Sequence, residues 1–514
     1  MASVRAVGWW RIGLPLLALA LAAPLLAVPA RAGGDAGGSG DGSGIGWGKC
    51  GGGAANVPGM QCAQVEVPLD WTLQNGRNVT VGLTRLPARR PGARLGSLVF
   101  NPGGPGAAAS AWLAFEAGEG GVFSKGVRDR YDIIGFDPRG VGMSTPAVRC
   151  DPGLWNKPVS LFPSSPAAYA RLEAKYAAFG ESCLRMTGPL LAHLDTVSVA
   201  RDLEVVRERL GEGKLSFLGL SYGSEIGEEY ARLFPRHVSR LALDGALVHS
   251  LPAVVLHENE SVAYERSLER FAQWCRKAAE CALRGRDPLA VFSNLVARAD
   301  KAPLPAPDCR SSGGCRAEVT GEDIRLRAQE YLLARDGLPV LSLPGWKDLG
   351  QALAKAEKGD ASGLSVRVIK TADDPEFSGL AVGCADFRSS VRGYAALKTQ
   401  MAMAKVVAPR TQGASQSYGY ITRCMRWPTA FVNPHRSAAV ATPGATPLII
   451  NSLYDPSTAY VWAQQMLTEM KGSVLLTREG DGHTSYLLPG QARDAIDRYL
   501  VSGQTPPPGT FVRS

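Results

Sequence analysis

The sequence predicts an α/β protein with a mostly parallel eight-stranded sheet flanked by helices and a mainly helical cap inserted after the sixth strand. Three observations carry this. Residues 95–100, 131–136, 215–220, 238–243, 447–451 and 474–477 are short, nearly continuous apolar runs bounded by Gly, Asp, Ser or Asn. Strands buried on both faces read this way, and they form parallel sheets covered by helices. Helical periodicity separates several of these runs, at 197–210 and 223–234. Between about 248 and 430 the strand rhythm stops, and amphipathic stretches at 262–275 and 324–333 with a Pro-rich connector at 302–308 take its place.

In chain order, Arg5 and Arg11 precede an apolar run over 12–28 that ends at Ala30-Arg31-Ala32. This pattern is a secretory signal peptide over 1–32, too short and too proline-broken for a spanning anchor. Residues 33–53 are dominated by Gly, Ser and Ala and are expected to form a flexible leader. Residues 54–247 then hold the first part of the core, beginning with alternating segments at 64–68 and 79–86 that suit an antiparallel pair at the sheet edge. The cap occupies 248–430, and residues 431–514 complete the core.

With 514 residues, 45% hydrophobic and 20% charged, the chain has the apolar material for a large core, which excludes a disordered protein. The formal charge of +9 falls to +6 once the three arginines of residues 1–32 are removed. Arg85, Arg89, Arg90 and Arg94 form the densest basic stretch, but they sit among prolines without interleaved aromatics, so a nucleic-acid partner is not expected. No later segment resembles a membrane span, and no cofactor or metal is implied. The cysteines at 275, 281, 309 and 315 are separated by five-residue gaps, unlike the usual C-x2–4-C zinc spacing.

Gly219-Leu220-Ser221-Tyr222-Gly223 is a G-x-S-x-G between a predicted strand and a predicted helix. In a chain with 59 glycines the pattern alone carries little; its context is that of a nucleophile elbow, with Ser221 in a sharp turn between small residues. A serine hydroxyl needs a base and an orienting acid. Among six histidines, His483 lies in Gly480-Asp481-Gly482-His483, just after the last predicted strand. Asp455, in Tyr454-Asp455-Pro456, follows the strand at 447–451; the order Ser, acid, His then matches the α/β-hydrolase order. Asp244, ending the preceding strand, is the alternative acid. Asp481 is assigned to shaping the turn.

An acyl-transfer intermediate also needs oxyanion donors. These are expected at the amide of Tyr222 and in the loop Asn101-Pro102-Gly103-Gly104-Pro105-Gly106, first at Gly104 and then at Gly103, since the prolines have no N–H.

With these residues in view, the chain resembles secreted tripeptidyl aminopeptidase-like α/β-hydrolases, relatives of the proline iminopeptidases. The likeness rests on Pro68-Leu69-Asp70, Asn101 to Gly106, Phe136-Asp137-Pro138-Arg139-Gly140, Ala200-Arg201-Asp202-Leu203, the Ser221 elbow, Leu243-Asp244-Gly245, Trp274-Cys275, Tyr454-Asp455-Pro456 and Gly482-His483. It spans roughly 60–510. The chain departs from the family in having Asn451-Ser452-Leu453-Tyr454 before Asp455, where members carry a Gly, and in having no cysteine pair near the C-terminus.

The resemblance implies a secreted serine hydrolase that cleaves peptides near a free N-terminus, with Ser221 as nucleophile, His483 as base and Asp455 as orienting acid. A carboxylesterase and a non-catalytic surface protein are the alternatives. It also suggests that the ten cysteines pair with their neighbours in sequence, Cys50–Cys62, Cys150–Cys183, Cys275–Cys281, Cys309–Cys315 and Cys384–Cys424, although spacing does not fix connectivity. A peptide with a free N-terminus brings an ammonium group that calls for a carboxylate. Glu258, Glu260 and Asp386 are the candidates, whereas Glu225, Glu228 and Glu229 read as a helix surface with a Glu228–Arg232 pair.

Overall fold

Apolar runs without alternation need cover on both sides, and the sheet provides it. Its strands are β1 (Gly48–Lys49), β2 (Gln61–Pro68), β3 (Asn78–Leu86), β4 (Gly96–Asn101), β5 (Tyr131–Asp137), β6 (Leu215–Leu220), β7 (Val238–Asp244), β8 (Leu448–Tyr454), β9 (Val474–Asp481) and β10 (Phe511–Arg513). They lie in the order β1-β2-β3-β5-β4-β6-β7-β8-β9-β10, antiparallel from β1 through the β3–β5 pair and parallel beyond it. The computed structural model describes residues 44–51, 57–338, 343–388, 391–437 and 439–513, so the signal-peptide expectation for 1–32 lies outside the described residues.

Successive residues of one strand enter opposite layers. Val99, Phe217, Leu243 and Ile449 pack with Leu203, Ile226 and Trp462, whereas Leu98, Phe100, Leu218, Leu220 and Ile450 pack with Trp112, Tyr486 and Tyr499 on the other face.

The sheet has ten strands among the described residues rather than eight. The two additions, β1 and β10, are edge strands of two and three residues, too short to leave a periodic signal. β1 also corrects the flexible-leader expectation at its C-terminal end. Ile45 is buried, Lys49 pairs with Gln61, and Cys50 is disulfide-bonded to Cys62. A segment too polar to order itself is held by a cross-link and a free sheet edge.

Between β7 and β8 the chain is mainly helical. The helix Ala253–Cys275 runs through both halves of this insertion: Leu256 joins the main core, and Leu268 and Phe271 join a separate cluster with Phe292, Ile324, Leu332 and Trp346. The helices Pro375–Asp386 and Gln416–Arg423 return to the main core through Phe377, Leu380, Tyr418 and Ile421. All five sequence-adjacent cysteine pairs are disulfides, which removes the thiolates a zinc site would need. Among the described residues no helix is long and apolar enough to cross a membrane.

One charged contact ties four segments together. The guanidinium of Arg139 donates to both carboxylate oxygens of Asp202, at 2.7 and 2.6 Å, and to the carbonyls of Leu69, His193 and Pro68. Trp71 Nε1 donates to the same carboxylate. Both charged side chains are fully buried. Removing one partner strands the other charge, so Arg139→Met is expected to lower unfolding free energy by about 3–5 kcal/mol in urea titrations. A loss below about 1 kcal/mol would show that the pair is not holding these segments.

Candidate active site

At the end of β6 the backbone turns through Ser221 at φ 56°, ψ −125°, directly into the helix Tyr222–Leu233. Such a conformation costs a non-glycine residue on the order of 1–3 kcal/mol and persists only where the surroundings impose it. Here they do. A Cβ on Gly219 would stand 2.2 Å from the carbonyl oxygen of Gly223, and one on Gly103 would stand 2.3 Å from that of Leu220. The amide of Ser221 donates to Asp244 O at 2.8 Å, and Ser224 N donates to Ser221 O.

The loop after β4 lies against this turn. Asn101 Oδ1 accepts the amide of Gly103 at 2.9 Å, and Asn101 Nδ2 donates to Phe136 O. The Gly103 amide is therefore engaged inside its own loop. The Cβ position of Gly103 is 2.9 Å from Tyr222 N, so the loop and the helix N-terminus share one small space. Tyr222 opens the helix, where an amide has no intrahelical carbonyl to bond.

Asp455 follows β8 and is 1% exposed. Its Oδ1 accepts the amides of Ser457 and Thr458 at 2.8 Å each, and its Oδ2 accepts Thr458 Oγ1 at 2.9 Å. Held this way, the carboxylate receives His483 Nδ1, 2.8 Å from Oδ2 and 3.0 Å from Oδ1. An Nδ1–H committed to a carboxylate leaves Nε2 as the free lone pair of the neutral ring. Burial acts to lower the pKa of His483, but the charge and hydrogen bond of Asp455, with Asp244 and Glu260 further off, raise it above its usual value on balance.

Among the described residues Asp244 makes no hydrogen bond to the imidazole. Its Oδ2 accepts the amides of Ser485 and Tyr486 at 2.7 and 2.6 Å. Burial, partly offset by those amides and by Arg478, pushes its carboxyl up to about 6. Asp481 pairs with Arg270 of the insertion.

The three amine-binding candidates fall in different places. Glu260 is buried beside the Asp455 turn: Gln329 Nε2 donates both to its Oε1 and to Pro456 O, at 2.8 Å each, and Ser417 N donates to Oε2. Asp386 accepts Thr196 N, Thr196 Oγ1 and Asn433 Nδ2, tying its helix to two other segments. Glu258 is half-buried, and its contact is a long 3.4 Å bond from Gln400. The elbow-helix glutamates are not a solvated face. Glu225 is 1% exposed, 3.3 Å from His249 Nδ1, and Arg232 pairs with Glu229 rather than Glu228. The residues after β7 and the segment around Arg436 cover that side of the helix, which helical spacing alone could not show.

Over 88% of its length this chain is 30% identical to the serine protease Hip1 of Mycobacterium tuberculosis, covering 87% of that protein. The chain belongs to the tripeptidyl aminopeptidase-like α/β-hydrolases. Residues 96–307 match the alpha/beta hydrolase fold family and 408–511 match the TAP-like protein family. Tripeptidyl aminopeptidase of Streptomyces lividans is 29% identical over 87% of this chain and 82% of its own, and carboxylesterase B of M. tuberculosis is 29% identical over 96% and 95%. Within this family the chain is a serine hydrolase.

Several site residues left no motif. Gln329 reaches Pro456 from 127 residues away, and Arg478 holds a loop only four residues on without any motif to mark it; only the Asp-x-x-Thr spacing of 455 and 458 hinted at a self-capped turn.

A histidine that serves as general base works only when neutral, so with His483 in that role activity would fall as pH drops through its raised pKa. The acid limb of kcat/KM is therefore expected above pH 6.5, the usual histidine value. A limb centred below 6.5 in a pH–rate titration would contradict this reading.

Proposed function

We propose that this chain is an exported exopeptidase that releases short units, tripeptides or proline-containing units, from the free N-termini of peptides. The observation that carries the reading is the buried Asp455–His483 pair set at the strand ends beside the strained Ser221 turn, in a family that includes a named tripeptidyl aminopeptidase.

Ser221 Oγ attacks the peptide carbonyl while its proton passes to His483 Nε2; Asp455 holds the ring in the matching tautomer and stabilises the imidazolium. The tetrahedral oxyanion is held by the amides of Gly104 and Tyr222, since Gly103 N–H is taken by Asn101. Collapse expels the amine, which takes the proton from Nε2, and water then releases the acyl group by the same path in reverse. Of the three carboxylates, Glu260 suits the substrate ammonium, being the one that adjoins the Asp455 turn. Five disulfides suit an oxidising compartment, in keeping with the signal sequence.

A second reading, an esterase, is favoured by the similarity to carboxylesterase B, because the triad itself does not discriminate. Tripeptidyl and aminoacyl chromogenic amides with free and acetylated N-termini, run beside short-chain p-nitrophenyl esters, separate the two. Turnover of free tripeptidyl amides well above their acetylated forms is expected, and Ser221→Ala should abolish it together with fluorophosphonate labelling. Equal turnover of free and blocked peptides would sink the exopeptidase reading. Glu260→Gln is expected to raise KM for free peptides about tenfold or more while leaving ester KM within about twofold, as loss of a charge-assisted contact implies. Equal effects on both substrates would remove Glu260 from the amine site.

A further inference from the structure

Asp244 is fully buried at the end of β7 and lies outside the path of the transferred proton. Its contacts nonetheless reach both reacting groups' segments. Its backbone carbonyl accepts the amide of Ser221, and its carboxylate accepts the amides of Ser485 and Tyr486, two and three residues beyond His483. The next residue, Gly245, has φ +73°, and a Cβ there would stand 3.0 Å from His483 Cε1. Ala246 N then donates to Asn451 Oδ1, while Asn451 Nδ2 donates to the carbonyl of Thr458, the residue that clamps Asp455.

The His483 loop is gripped from its other side by buried Arg478. That guanidinium donates to the carbonyls of Asp481, Gly482 and Thr484 and to Ser485 Oγ. Between the two grips Thr484 sits at φ +60°, a conformation a β-branched residue does not hold unaided.

We infer that Asp244 is a positioning residue whose carboxylate and carbonyl together set the separation of Ser221 and the His483 imidazole. This rests on the Ser221–His483 reading above. Proton transfer between nucleophile and base depends steeply on that separation, and a shift of about 1 Å costs about a hundredfold. What the two amides need is an acceptor oxygen. Asparagine supplies one, and its Nδ2 falls where Asp244 Oδ1 has no hydrogen-bond partner among the described residues. Alanine supplies none and leaves two amides unbonded.

The charged groups facing Asp244 are Arg478 on β9 and His483; His483 in turn faces Asp455 and Glu260. Removing the charge of Asp244 while keeping its shape therefore lowers the pKa of His483.

The test compares Asp244→Ala, Asp244→Asn, Asp455→Asn and Ser221→Ala with wild type. It reads kcat and KM on the best peptide amide and the fluorophosphonate labelling rate from about pH 5 to 9. Asp244→Ala is expected to lose about a hundredfold in kcat and labelling, with KM within about threefold. Asp244→Asn should lose no more than about fivefold at its plateau, with its acid limb moved to lower pH. Asp455→Asn should lose about 10⁴-fold.

The inference is overturned if Asp244→Ala stays within about threefold of wild type, if the Asn plateau is as low as that of Ala, or if the Asn limb does not move. Should the Ala variant not fold, the Asn plateau and limb decide. An Asn collapse at 244 with near-normal Asp455→Asn would make Asp244 the orienting acid instead. Turnover surviving in Ser221→Ala would remove the serine reading and this inference with it, whereas an inactive Ser221→Ala leaves the Asp244 outcomes to judge positioning alone.

Discussion

The close approach of three backbones at the carboxyl ends of β4, β6 and β7 is the constraint on which the rest of the molecule depends. Ser221 takes a positive φ where the Gly103 loop and the carbonyls of Leu220 and Gly223 crowd so closely that positions 103 and 219 have no room for a Cβ. Glycine at 103, 219 and 223 is the sequence expression of that crowding. A parallel sheet places these ends on one edge, so residues from strands far apart in the chain meet there. Placing Ser221 in a strained turn needs a rigid frame, and the two-sided core with its buried Arg139–Asp202 pair supplies one.

The insertion does more than cover the edge. Leu333 O accepts the amide of His483 at 2.7 Å, Gln329 bonds Pro456 O, Ser267 bonds Tyr454 O, and Arg270 pairs with Asp481. The helix Pro375–Asp386 approaches the other side, where a Cβ on Gly106 would stand 2.6 Å from Gly379 N. Both loops that carry site groups are thus shaped partly by the inserted helices. Water exclusion at such an edge strengthens every charge interaction within it, including that between Asp455 and His483.

Much of this was legible in the residues because it is local. Buried strands at 215–220 and 238–243 announced themselves as unbroken apolar runs, and the elbow helix as one apolar face. Edge strands of two or three residues have no period to detect, which is why β1 and β10 were silent. The elbow-helix glutamates failed for a related reason. Helical spacing separates one face from another, but it does not show that the second face is covered too; His249 and Arg436, which meet Glu225 and Glu229, come from segments about 24 and 207 residues away.

The sequence by itself determined the parallel core, the turn at Ser221 and the candidacy of His483, since each is written in a short window where backbone geometry restricts residue type. Which aspartate meets the imidazole, which carboxylate stands beside the Asp455 turn, and which are consumed as ties were decided by the tertiary structure alone. Asp244 ends one strand, Asp455 directly follows another, and the two are alike in sequence. Hydrogen-bond geometry separates them: one carboxylate faces a ring nitrogen and the other two backbone amides 241 and 242 residues along the chain, a difference of a few ångströms that no local pattern encodes.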